Sequence, residues 1–419
     1  MKSKILITQP ALVELVMRLG RDHSATAVCP VGTAHLIESR TYLVREVNWI
    51  PHVVHSGDDL LVVRAGETVD VIPQIVAHEA GIFPPRGEGA VLCLAFEGDR
   101  IAVGGAGICG KQAIPLERLT CIGPGLPEVH LGPAATEVQF RRPIEDGRWS
   151  RTIGALGERA WRKLTQINCT IVGAGRNGSL AATSLARLGV NHIALIDPDR
   201  LEPHSLAEGD FGATVVSHAK VEAAKDFVLS IPHSEGLRVV GFAESVYALP
   251  ALGAIKAADV VICCVDNAEA RYATALLAKV YLKPLLDIGT GILNGPDRPM
   301  GADIRLVLPD RCLLCFGGIA GLAGRREAPP ADWRTQRAGS LRSLNQIAVG
   351  FATRMLEDFV AGRLGSAWKQ LNFSPDGSSD LRSRNPAPSH CELCASIGLE
   401  ASVPDLGGSS QPHASKITK

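Results

Sequence analysis

The stretch "IVGAGRNGS", residues 171–179, decides the fold class. Two β-branched apolar residues run straight into Gly173, Gly175 and Gly178, and "SLAATSLARLGV" then continues at helical spacing. Glycines spaced G-x-G-x-x-G between a strand and a helix permit a tight turn and a close backbone approach. The helix N-terminus that follows favours negative charge. A lone match of this kind is weak, because the same loop fits a turn that binds nothing, a retained dinucleotide, or an ATP that is consumed.

Working outward, residues from about 150 to 395 alternate strand-like with helix-like segments. "CTIVGAG", "HIALIDPD", "DVVICCVD" and "KPLLDIG" supply the strands, which predicts an α/β domain, a Rossmann-like and mostly parallel sheet covered by helices. Residues 1–128 read differently. "LVELVMRLG" has helical spacing with Thr8 as its cap, and "TYLVREVNWI", "DLLVVRA", "AVLCLAF" and "RIAVGGAG" alternate as strands do. The expectation is a smaller α+β domain at 1–128 and a linker at 129–147, the passage 123–137 being rich in Pro and Gly. The α/β domain would occupy 148–398, followed by a disordered polar tail at 399–419. There is no internal repeat.

Composition narrows the function classes. The 43 Lys and Arg equal the 43 Asp and Glu, so no net charge favours nucleic acid or an anionic membrane. No apolar run approaches the roughly 18–20 residues that a membrane span needs. A cytoplasmic protein is expected. Its 11 cysteines then read as metal ligands or thiols more than as disulfides, because the cytosol keeps thiols reduced.

Three features separate the phosphate readings. The strand after the loop ends in "DPDRLE", where Asp197 can take ribose hydroxyls and Asp199 follows two residues on. Lys220, in "SHAKVEAAKDFV", opens a helix-like segment from which its ammonium can reach phosphate. "VVICCVDNAEAR" ends a further strand with Asp266 and Asn267, and carries Arg271 one turn on. A carboxylate at a strand's C-terminal edge is well placed to hold Mg²⁺ against phosphate. Singly, the two acids also fit helix caps, and the lysine fits a solvated surface.

Two Cys-x2-Cys pairs stand apart from this set: Cys312 and Cys315 in "RCLLC", Cys391 and Cys394 in "HCELC". Four thiolates in two such knuckles are what a tetrahedral structural Zn²⁺ requires. Neither pair heads a thioredoxin-like helix, which argues against redox chemistry.

Over about 148–395 the sequence resembles the superfamily of ubiquitin-activating enzymes and the bacterial adenylyltransferases of thiamine and molybdopterin biosynthesis. The residues that carry the resemblance are "RWSRTIGALGERAWRKL", "VGAGRNGS", "DPDRLE", the Lys220 "AK" and "VDNAEAR". The resemblance implies that Asp197 contacts ribose, Lys220 the phosphates and Asp266 the Mg²⁺–phosphate site, with Asn267 and the three glycines in the nucleotide pocket. It makes Arg151 an arginine donated across a homodimer interface, and it makes the zinc a tie between the C-terminal arm and the sheet. The implied reaction is ATP-dependent adenylation of the C-terminal carboxylate of a small ubiquitin-like or sulfur-carrier protein, with a conjugating enzyme as a further partner.

Two departures keep other readings open. Where relatives follow the Asp-x-Asp with Asn-Leu-x-Arg-Gln, this chain has Ser205, Leu206, Ala207, Glu208 and Gly209, so a glutamate stands where an arginine would help neutralise triphosphate. Arg176 in the glycine loop is a candidate replacement. The crossover segment "GIAGLAGRREAPPADWRTQRAGSLRSLNQ" contains no cysteine, while Cys169, Cys263 and Cys264 sit in strands and read as inert packing. A peptide adenylyltransferase, a non-catalytic adaptor and a nicotinamide-dependent oxidoreductase remain alternatives. Residues 1–128 also resemble JAB-type isopeptidase domains. Only "HSGDD" and "VAHEAG" occur where a His-x-His-Pro metal motif is needed, so that domain is expected to be catalytically dead, with His55 and His78 as surface or packing residues.

Overall fold

The computed structural model describes residues 2–36, 39–47, 49, 60–66, 74–78, 83, 88–97, 100–110, 112–129, 131, 147–212, 216–292, 300–319, 339–386, 391 and 393–394. The expected tail at 399–419, His55 and most of the crossover segment lie outside them. Two compact units divide the chain, within Met1–Glu145 and within Asp146–Ser396.

The first unit is a nine-stranded sheet, ordered β2-β5-β6-β7-β8-β1-β4-β3 with β9 on β8. Its strands are β1 (Lys2–Thr8), β2 (Thr26–Pro30), β3 (Gly32–Thr33), β4 (Ser39–Val44), β5 (Leu60–Gly66), β6 (Glu88–Glu97), β7 (Arg100–Cys109), β8 (Gln112–Ile122) and β9 (Glu128–Val129). Helix α1 (Gln9–Leu19) begins where Thr8 accepts the Ala11 amide. It turns Ala11, Leu15 and Leu19 inward, the i, i+4, i+8 stripe that an amphipathic helix presents to a sheet. The passage expected as a linker starts inside this unit, since β9 pairs with β8 and Leu131 bridges to Val103. Residues 132–146 lie outside the described set. His78 is exposed.

The second unit carries an eight-stranded sheet, ordered β12-β11-β10-β13-β14-β15-β16-β17. The parallel part is β10 (Asn168–Val172), β11 (His192–Ile196), β12 (Arg238–Phe242), β13 (Val260–Cys263) and β14 (Leu285–Ile292). Beyond it β15 (Met300–Val307), β16 (Ala367–Phe373) and β17 (Ser379–Arg384) add on antiparallel. The helices are α2 (Ser150–Leu156), α3 (Glu158–Gln166), α4 (Arg176–Leu188), α5 (Ser205–Glu208), α6 (Lys220–Ser230), α7 (Leu249–Ala257), α8 (Ala268–Val280) and α9 (Arg342–Val360). Strands β10 and β13 are fully buried apart from Asn168, as near-continuous apolar runs covered on both faces should be. The longest helix, α9, lies on α4 and on β14 and β15, burying Leu344, Ala348, Val349, Ala352, Met355, Leu356 and Phe359.

Chain order in the parallel part reverses at β10: β11 and β12 lie on one side, β13 and β14 on the other. A crevice opens outside the strand ends at such a switch point. The glycine loop, the "DPD" segment and the "VDN" segment all leave the sheet there. The edge strand β12 and the antiparallel strands β15–β17 were not foreseen from the sequence.

Candidate nucleotide cleft and cysteine cluster

The glycines act locally in distinct ways. Gly173 has φ +91°, and a Cβ there would lie 2.9 Å from the Cys264–Val265 backbone. At Gly178 a Cβ would come within 1.8 Å of the Gly173 carbonyl oxygen, because α4 starts tight against the turn. Helix α4 begins at Arg176, earlier than the sequence pattern implies, with Gly175 as its cap and no capping side chain. Its first-turn amides are therefore left to a ligand or solvent.

A cleft of about 450 Å³ opens in front of this helix start. It is lined by Gly173, Gly175, Asp197, Asp199, Lys220, Asp266 and Asn267 among others, so seven of the expected residues meet in one place. Gly178 packs behind the loop and does not line it. Arg151 is exposed on α2, and it too is not among the lining residues.

Asp197 is 7% exposed. One of its oxygens accepts the Ala174 amide at 2.7 Å and the other the Asp199 amide at 2.8 Å. Burial raises its pKa above 3.8, against the opposing pull of Lys220 and those two amides. Lys220 pairs with Asp199 at 2.7 Å. Burial alone would lower its pKa, but Asp197, Asp199 and Asp266 more than offset this and hold it above 10.5. The ammonium is cationic throughout the neutral range. Asp266 is exposed at the cleft, while Asn267 caps α8 by accepting the Ala270 amide at 2.7 Å.

Several lining groups were missed in the sequence. Asn177, only 9% exposed, donates to Thr290 Oγ1 at 3.3 Å and leaves its own Oδ1 buried without a partner. Thr290 donates in turn to Asn345 Oδ1 at 2.9 Å on α9. An unpartnered buried oxygen beside a cleft calls for a ligand or water donor. Arg271, Gly289 and Thr290 also line a second cavity of about 500 Å³, walled by Gly291, Gly301, Gly317 and Gly318. Below it Asp287, fully buried, meets Arg305 at 3.1 Å and Arg271 at 3.2 Å. The Arg271 contact is an ion pair off hydrogen-bond geometry, since neither Arg271 Nε nor Asp287 Oδ1 has a hydrogen-bond partner.

Glu208 does not line the cleft. Its carboxylate pairs with Arg176 at 3.1 Å, and Arg176 does line it. Cys169 and Cys263 are buried in strands as expected, and burial raises both, Cys263 to about 12. Cys264 instead follows the end of β13, is half-buried and lines the cleft.

The four knuckle cysteines come together. Their sulfurs all lie within 4.8 Å of one another, with Cys312–Cys391 at 3.3 Å and Cys312–Cys315 and Cys315–Cys394 each at 3.7 Å. Tetrahedral Zn–S bonds of about 2.3 Å require sulfurs about 3.8 Å apart, so the donor set fits a tetrahedral ion. Hydrogen bonds from the neighbouring thiols hold Cys394 down to about 5. This is the one group of metal-ligating side chains found among the described residues. No helix among those residues is long and apolar enough to cross a membrane.

The model of the ThiF family matches residues 149–366. The adenylyltransferase and sulfurtransferase uba4 of Aspergillus niger is 29% identical over 175 residues, covering 38% of this chain and 36% of that protein. The adenylyltransferase and sulfurtransferase MOCS3 of Drosophila yakuba is 28% identical over 257 residues, 58% of this chain and 52% of its own length. This chain thus spans about a third to a half of the curated relatives it matches. Among solved structures, E. coli MccB with ATP is 19% identical, with a TM-score of 0.46 over 60% of this chain and 75% of MccB.

Proposed function

Because the chain belongs to the ThiF family, we propose that it activates the C-terminal carboxylate of a small ubiquitin-like or sulfur-carrier protein by ATP-dependent adenylation. The observation that carries this reading is the junction of two cavities. A cleft with a glycine loop and open helix amides meets a glycine-walled groove at Arg271, Gly289 and Thr290. Triphosphate fits the first cavity. An extended tail with small side chains fits the second, and its terminal carboxylate arrives at the junction.

A carboxylate oxygen attacks the α-phosphorus in line, the α–β bridging bond breaks, and pyrophosphate leaves with the electron pair. The product is an acyl-adenylate. Lys220 steadies phosphate charge, Asp197 braces the loop and faces ribose, and Asp199 orients Lys220. Asp266 would hold Mg²⁺, which would supply charge neutralisation on the phosphates. Catalysis by this chain is therefore mostly positioning and electrostatic preorganisation. The cysteine cluster holds a structural Zn²⁺. The chain acts as a cytoplasmic homodimer, in which Arg151 on the exposed face of α2 serves the partner's cleft. Acyl-adenylate formation needs no catalytic cysteine, so the buried thiols are no obstacle, although a conjugating enzyme downstream would have to supply its own.

Pyrophosphate exchange tests the reading. Exchange into ATP should require a carrier with a free C-terminal carboxylate and vanish when that terminus is amidated. A carrier that binds without exchange above background would make the chain an adaptor.

A further inference from the structure

The charge arrangement at the helix start goes beyond the family pattern. Arg176 is the first residue of α4. A cation there opposes the positive end of the helix dipole and is disfavoured unless an anion offsets it. Glu208 supplies one anion, with its Oε2 3.1 Å from Arg176 Nη1.

The Glu208 segment is itself fixed. Arg342, opening α9, donates to the Gly209 carbonyl at 2.8 Å and pairs with Asp210, whose amide is held by Ser179 Oγ at 2.9 Å. Of the pair, only Arg176 reaches the cleft wall, while Glu208 lies behind it. The other lining basic side chains are engaged as well: Lys220 with Asp199, His204 with Glu202, and Arg271 with Asp287 and the Val265 carbonyl. A single carboxylate oxygen leaves most of the five guanidinium donors of Arg176 unspent.

We propose that Arg176, oriented by Glu208, is the cation that meets the outer phosphates of the nucleotide in this chain. The glutamate at 208 therefore does not repel triphosphate. It sets the rotamer of the arginine that attracts it, and acts as a positioning residue. The inference rests on the nucleotide reading above.

Calorimetry on the 419-residue chain with Mg·ATP and with AMP separates the roles. Arg176→Ala should weaken Mg·ATP by about 10- to 100-fold, the range for a lost charge-assisted hydrogen bond. AMP, which lacks the outer phosphates, should be almost unaffected and thereby reports an intact cleft. Glu208→Gln should weaken Mg·ATP by a smaller factor in wild type and by none in the Arg176→Ala background. Unchanged Mg·ATP affinity in Arg176→Ala overturns the proposal, as does an equal loss of both nucleotides. An undiminished Glu208→Gln effect without Arg176 overturns the positioning role. Wild type that binds neither nucleotide removes the adenylation reading itself, and this inference with it.

Discussion

Asp287 on β14 stands directly opposite Arg305 on β15 in the antiparallel register, and their side chains meet at 3.1 Å with the carboxylate fully buried. Arg305 also donates to the Phe316 carbonyl at 2.8 Å and lies over the Trp368 ring. One cross-strand pair thus ties the parallel half of the sheet to its antiparallel extension and to the "RCLLCFGG" segment. Removing one partner of a buried ion pair costs about 3–5 kcal/mol, because the other charge is left uncompensated. Asp287→Ala should lose that much in urea denaturation. The double variant Asp287→Leu/Arg305→Met should recover only the share due to Arg305, because Arg271 loses the same carboxylate in both variants. Equal loss in single and double variants would mean that the pair is not coupled.

Asp197 predicts a pH dependence. Its folded pKa is raised above 3.8 by burial, so its stabilising contribution is full below 3.8 and is lost as pH rises through the folded value. At neutral pH the buried charge is a net cost that Asp197→Asn escapes. The carboxamide, however, has one acceptor oxygen for the two amides of Ala174 and Asp199. The stability advantage of wild type over Asp197→Asn should therefore be larger near pH 4 than at pH 7. Denaturant titrations at the two values check this, and an advantage that grows with pH would contradict the burial argument.

How much of this was legible in the sequence depends on distance along the chain. The glycine loop and the Cys-x2-Cys pairs are local patterns with fixed spacings, and both marked structures that exist. The four core strands were readable because strands buried on both faces are runs of apolar residues. Strand β12 was not, since its "RVVGF" lies at the sheet edge and mixes exposed with buried positions. Strands β16 and β17 are half-buried or exposed and carry no apolar run. The pairings Asp287–Arg305 and Arg176–Glu208 need a strand register and a helix-to-segment contact, neither of which composition or spacing encodes. Arg176 was noticed as a loop cation, but its partner emerges only once Arg342 and Ser179 are seen to hold residues 208–210. Asn177 occupies an unspecified position of G-x-G-x-x-G, and only the fold shows its unpartnered oxygen and its place in the cleft lining.

Metal content follows from the sulfur geometry. Purified protein should carry about one Zn²⁺ per chain, and Cys315→Ser should release it and melt at lower temperature, since structural zinc contributes folding free energy directly. Chelator treatment of wild type should reproduce the variant's melt. Metal analysis that finds no zinc in carefully purified protein, or a Cys315→Ser melt that matches wild type, would refute a structural ion.

Arg151 provides the last test, because the single chain leaves it exposed on α2 and outside the cleft lining. If it completes the partner's site, Arg151→Ala and Asp266→Ala should each abolish carrier-dependent pyrophosphate exchange. The scale is about 2.7–4 kcal/mol, that of losing one preorganised donor to transition-state charge. A heterodimer of the two variants would contain one cleft with both defects and one with neither. Mixed proteins should thus regain up to about half the wild-type activity per heterodimer, in proportion to the heterodimer fraction. Native mass spectrometry supplies that fraction. Verified heterodimers with no recovered exchange would place Arg151 in its own chain's chemistry or outside the reaction altogether. Exchange retained by Arg151→Ala alone would assign the neutralising role to the chain's own cations, Arg176 and Lys220.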